Sequence, residues 1–179
     1  LRKAGESVYN QLHVATHAEF KPGGPKASQL HSGIGPISMD EMAKLRSERQ
    51  GVPLDLVVFS ACRTALGDAN AELGFSGLAL QAGARSAVGT LWYVDDVVTS
   101  AYFVQMYRYL DQGIPKAEAL QLTRQAFLRN LVRLDGDRVM GVNDQPLLLN
   151  LTPSQQRRIS SGANNPFFWA GIELMGSPW

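Results

Sequence analysis

The sequence predicts an α/β fold built on a mostly parallel sheet flanked by helices, and three observations carry that expectation. Leu56-Val57-Val58-Phe59 is apolar at every position, the habit of an interior parallel strand covered on both faces. This run breaks into the small-residue turn Ser60-Ala61-Cys62-Arg63-Thr64, and a second run ending at Val14 breaks in the same way into Ala15-Thr16-His17. From Leu54 to Trp92 the pattern reads strand, helix, strand, a crossover that is right-handed in nearly all folds.

The elements follow in order. Asn10 to Ala15 contains no breaker and suits a short strand ending near Thr16. Lys21 to Pro36 holds four glycines and three prolines, which predicts an irregular loop with room for a hairpin. Ser38-Met39-Asp40-Glu41 has the form of a capping box, and Gly51 with Pro53 ends the helix it would open. The Leu54 to Phe59 strand comes next. Phe75 to Ala82 reads as a short apolar helix stopped by Gly83, and Ser86 to Trp92 as a strand in which Gly89 permits close approach of a helix.

Asp95 or Asp96 caps a helix running to about Leu110, whose apolar residues recur at helical spacing, and Gly113 breaks it. Pro115 opens a further helix through Asn130. Asp135 to Ser161 is polar and reads as an excursion from the sheet, and Phe167 to Leu174 reads as a closing strand rich in aromatic and branched residues.

With 179 residues, 45% of them hydrophobic and 18% charged, the chain is long enough for one domain with a sizeable core, expected to span residues 1–179. A net charge of +1 gives no general attraction to polyanions, and there is no dense basic run with interleaved aromatics, so nucleic acid is not an expected partner. One cysteine cannot make an internal disulfide, which makes a reducing, cytoplasmic location the default expectation. No apolar stretch approaches bilayer length, so no membrane partner is expected.

Open α/β sheets place their sites at the carboxyl ends of strands, and there the two breaks would set one thiol, Cys62, and one imidazole, His17. A cysteine nucleophile with an acid/base partner is the chemistry such a pair supports. A lone cysteine is more commonly a buried small hydrophobe, so the pair alone leaves both readings open. His13 reads as a structural, hydrogen-bonded histidine and His31 as a solvated one. Three histidines and one cysteine at these gaps match no zinc spacing, and no cofactor or metal is expected. Trp92, Asp95 and Asp96 are candidates to line a substrate pocket, where an aspartate would pair with Arg or Lys; the competing reading is that Asp95 caps a helix and Trp92 packs. Glu72 is a weaker pocket candidate.

His13-Val14-Ala15-Thr16-His17 and Leu56-Val57-Val58-Phe59-Ser60-Ala61-Cys62-Arg63-Thr64 resemble the histidine and cysteine motifs of CHAT domains, caspase-like cysteine peptidases of the clan that includes relatives of separase. Ala82-Gly83-Ala84-Arg85-Ser86-Ala87-Val88, Leu91-Trp92-Tyr93-Val94-Asp95-Asp96 and Pro166-Phe167-Phe168-Trp169-Ala170-Gly171-Ile172 resemble further segments in the family's order. The resemblance implies a caspase-like fold and cysteine endopeptidase activity on a protein substrate. It makes Cys62 the nucleophile, His17 the general acid/base, and the backbone N–H groups of Ala18 and Cys62 the oxyanion donors. It also implies regulation by attached or partner modules, such as helical repeats of the tetratricopeptide (TPR) kind or sensor regions. Family members usually carry glycine where this chain has Ala18, and carry a further strand and helix before the histidine strand. The expectation is therefore a carboxyl-terminal portion of a longer domain, lacking its amino-terminal strand or strands. The alternative reading is a catalytically silent interaction module on the same scaffold.

Overall fold

The computed structural model describes residues 8–19, 29–32, 35–38, 44, 46–60, 74–92 and 94–179. The expected capping box at Ser38 and the Cys62 turn with Glu72 fall largely or wholly outside these residues. The first elements in chain order are β1 (Gln11–Val14), β2 (His17–Glu19), β3 (Gln29–Ser32), β4 (Gly35–Ser38), β5 (Leu56–Phe59), α1 (Gly74–Gln81) and β6 (Ser86–Thr90). They are followed by α2 (Asp96–Asp111), α3 (Lys116–Leu128), β7 (Arg133–Asp135), β8 (Arg138–Met140), β9 (Pro146–Leu148), α4 (Pro153–Ile159) and β10 (Ile172–Gly176). The chain divides into two compact units, Leu1–Tyr93 with Ile172–Ser177, and Val94–Gly171 with Pro178–Trp179.

The first unit is built on a four-stranded sheet in the order β1-β5-β6-β10. The β1–β5 and β5–β6 pairings are parallel and only β10 runs antiparallel, against β6, so the sheet is mostly parallel. All four residues of β5 are buried, Phe59 completely, which is why this strand alone reads as a continuous apolar run. Helix α1 covers β5 and β6. Its Ser76 hydroxyl would lie 2.4 Å from a Cβ placed on Gly89, so the glycine in β6 admits the helix as the sequence predicts. Gly83 adopts φ 95° and stops α1, its N–H bonding back to Leu80 O at 2.9 Å.

A second, antiparallel sheet of the first unit, in the order β2-β3-β4, corrects two expectations. The first strand ends at Val14 rather than near Thr16, and His17 opens β2 instead of closing the strand before it. The glycine- and proline-rich stretch holds the hairpin for which the sequence left room, β3 against β4. In Gln29-Leu30-His31-Ser32 only Leu30 is apolar, and ladder hydrogen bonds supply what the local pattern lacks.

In the second unit Asp95 is the N-cap of α2, its Oδ1 accepting from the N–H groups of Val97 (2.8 Å) and Val98 (3.2 Å). Asp95→Ala is expected to cost about 1 kcal/mol, the usual value of such a cap, read as a lowered urea midpoint without a change in slope. Helices α2 and α3 pack through Tyr102, whose ring centroid lies 5.4 Å from that of Phe127 and whose hydroxyl donates to Leu120 O. α3 ends at Leu128, two residues short of the expected Asn130, which takes φ 56° in the turn beyond it.

The polar excursion after Asp135 is more ordered than its composition implies. β7, β8 and β9 form an antiparallel sheet, and α4 follows with Thr152 and Gln155 in a capping box. The closing strand also starts later than expected, at Ile172. Pro166–Phe168 is a 3₁₀ turn, because the Asn165 side chain accepts from Phe167 N–H and Pro166 has a backbone angle suited to a first helical position. Among the described residues no helix is long and apolar enough to cross a membrane.

Candidate active site at the carboxyl edge of the parallel sheet

β1 and β5 are neighbours in parallel register, with Gln11 opposite Leu56 and Val14 opposite Phe59. Their carboxyl ends therefore leave the sheet side by side. The register continues one residue past β5, where Ser60 N–H donates to Val14 O at 3.1 Å. The sequence segments that carry His17 and Cys62 thus start from adjacent points on one edge. β5 is held by burial of all four of its residues, and β1 is laddered to it.

A side-chain link reinforces this edge. His13 Nε2 lies 2.8 Å from Ser60 Oγ, which agrees with the reading of His13 as a structural, hydrogen-bonded histidine. Partial burial holds the His13 imidazole below the ordinary value of 6.5, because the charged ring would lose hydration. The sign for stability follows. In the window just below 6.5 the unfolded chain binds the proton more readily than the folded one, so His13's contribution is complete above that value and is lost as the pH falls through the folded pKa. Urea midpoints are expected to drop between about pH 7.5 and about pH 5.5, and the part due to this group should vanish in His13→Gln.

Ala18 stands in β2, so its backbone is extended, a conformation open to any residue, and an alanine in place of glycine carries no left-handed penalty there. It pairs in register with Leu30 of β3. β2 is an edge strand of its sheet, and alternate N–H groups of an edge strand face away from the partner.

The pocket candidates are distributed differently. Trp92 follows β6 in the first unit and is half-buried, whereas Asp95 and Asp96 belong to the second. Asp95 is committed to the cap of α2, and its Oδ2 lies 3.4 Å from Arg158 Nη1 of α4. Asp96 Oδ2 lies 3.8 Å from the same guanidinium nitrogen, so the two carboxylates share one arginine. The capping reading of Asp95 thus has a direct geometric counterpart. Among the described residues no group of three or more His, Cys, Asp or Glu side chains is arranged to hold a metal ion.

Ser60 belongs to the cysteine motif, and no role for it follows from the sequence alone. The available signal was its position, one residue beyond an interior strand that pairs with the strand bearing His13.

A mixed α/β chain whose mostly parallel sheet ends in side-by-side segments of this kind has the architecture of a caspase-like domain. The family model of the CHAT domain matches residues 1–177, and the chain belongs to the CHAT domain family, a caspase-like family related to cysteine peptidases. A search of curated proteins gave no significant match.

Proposed function

We propose that the chain acts as a cysteine endopeptidase on a protein substrate, with Cys62 as nucleophile and His17 as general acid/base. The observation that carries this reading is the parallel, in-register pairing of β1 with β5, which starts the His17 and Cys62 segments from neighbouring points of one sheet edge. Covalent geometry keeps Cys62 near that edge: two Cα–Cα steps of about 3.8 Å separate it from Ser60.

In the reaction the Cys62 thiolate attacks the scissile carbonyl carbon, forming a C–S bond and a tetrahedral oxyanion. The backbone N–H groups of Ala18 and Cys62 are the proposed donors to that oxyanion, a role that contributes several kcal/mol to transition-state stabilisation elsewhere. Protonated His17 gives its proton to the leaving amine as the C–N bond breaks. Water then attacks the thioester with His17 as base, releasing the carboxylate product and restoring the thiol. Trp92, two residues beyond β6, remains a proposed substrate-pocket residue. The proposed setting is cytoplasmic, with activity governed by helical-repeat or sensor modules of the same chain or complex, and with no cofactor.

Reaction with iodoacetamide tests the nucleophile directly. A catalytic Cys62 is expected to be alkylated about tenfold or more faster than a cysteine in a free peptide, because a depressed pKa enlarges the thiolate fraction. A rate at or below that of the free peptide would favour an inert scaffold that serves protein interaction instead.

A further inference from the structure

We propose that His13 and Ser60 form a positioning pair that holds the Cys62 turn in reactive register with the segment leading to His17. The inference rests on the reading of Cys62 as nucleophile. Ser60 is the last described residue before that turn, and it is anchored to β1 twice: its N–H donates to Val14 O at 3.1 Å, and its hydroxyl lies 2.8 Å from His13 Nε2. A single backbone bond at a strand end leaves the chain free to pivot about it. The side-chain bond, made to the preceding residue of the same strand, removes that freedom. His17 lies four residues beyond His13, and Cys62 lies two beyond Ser60. Both of these links, one through Val14 and one through His13, join the two reactive segments at Ser60.

The chemistry suits a fixed joint. The sheet interior beneath is rigid, since Val58, opposite His13 in the ladder, and Phe59 are fully buried. Partial burial favours the neutral imidazole, which offers Ser60 either a donor or an acceptor nitrogen according to its tautomer. Misplacement of a reacting group by about 1 Å can cost about 100-fold in rate, so a joint at the base of the turn acts well beyond its own bond strength.

Intact-mass kinetics of iodoacetamide alkylation report Cys62 alone, because the chain has one cysteine. His13→Ala and Ser60→Ala are each expected to slow alkylation about tenfold, toward the free-peptide rate. The double variant should be no slower than either single one, since both remove the same joint. His13→Gln, which returns an amide nitrogen near the position of Nε2, should recover the wild-type rate to within about threefold, a rescue that a purely packing role would not give. Thermal unfolding followed in parallel establishes that each variant is folded at the assay temperature. Should His13→Ala fail to fold, the comparison of Ser60→Ala with Ser60→Thr decides, since the two differ in keeping the hydroxyl.

A folded Ser60→Ala that reacts at the wild-type rate overturns the inference, and so do losses that add in the double variant. If wild type is fast and the variants match it, only the positioning role falls. If wild type itself reacts no faster than the free peptide, the peptidase reading fails first and the inference with it.

Discussion

Cys62→Ala is expected to abolish cleavage of any protein substrate that the wild type cuts, lowering turnover by about 10³-fold or more, because no other group in the proposed site can form the acyl intermediate. His17→Ala should produce a loss of similar order. Without the imidazole the leaving amine departs unprotonated and the thioester loses its base. Both variants should still bind substrate, so the deficit belongs in kcat rather than KM. Unfolding midpoints, measured in parallel, are expected to stay close to wild type if the loss is one of chemistry. Undiminished cleavage in either variant, measured as initial rates on a substrate processed by wild type, would remove that residue from the mechanism.

The second large effect is on stability. Phe59 has no exposed surface and ends the central strand that carries the Cys62 segment. Phe59→Ala is expected to cost about 3–5 kcal/mol, combining the lost transfer energy of the ring with that of the cavity left behind. A domain with about 5–15 kcal/mol of total stability would lose a large fraction of it. The urea midpoint should fall accordingly, and iodoacetamide reactivity should drift toward the free-peptide value as the edge of β5 loosens. A midpoint within about 0.5 kcal/mol of wild type would mean that the surrounding residues collapse into the space.

Much of the fold was legible because it depends on local signals. The unbroken apolar run in β5 announced an interior strand, Gly83 announced the end of α1, and Asp95 announced the start of α2 through a side chain that reaches its own backbone two and three residues on. Strands β7 and β8 escaped notice because each has three residues, too few to display a period of two, and β9 begins with a proline that argues against a strand except at an edge. The 3₁₀ turn at Pro166–Phe168 was obscured by its own aromatic residues, which carry strand propensity without a ladder partner to realise it.

The candidate site divides along the same line. Its candidate residue types were visible in the sequence, but the place of His17 was not: it opens β2 instead of ending the strand before it. The Ser60 contact was not visible either, since it needs the register between two strands separated by more than 40 residues, and register is set by pairing rather than by either strand alone. The break after β1 that carries His17 into a different sheet is likewise a choice of partner.

By itself, then, the sequence determined which segments are strands and helices wherever periodicity, capping or a breaker acts within a few residues, and which residue types could do chemistry. Tertiary structure alone decided that β1 lies beside β5 in register, that β10 runs against β6, and that His13 meets Ser60. The physical reason is that a strand's backbone groups are satisfied by whichever strand arrives beside them. Burial and ladder geometry then choose that neighbour over the whole chain, beyond the range of any local pattern.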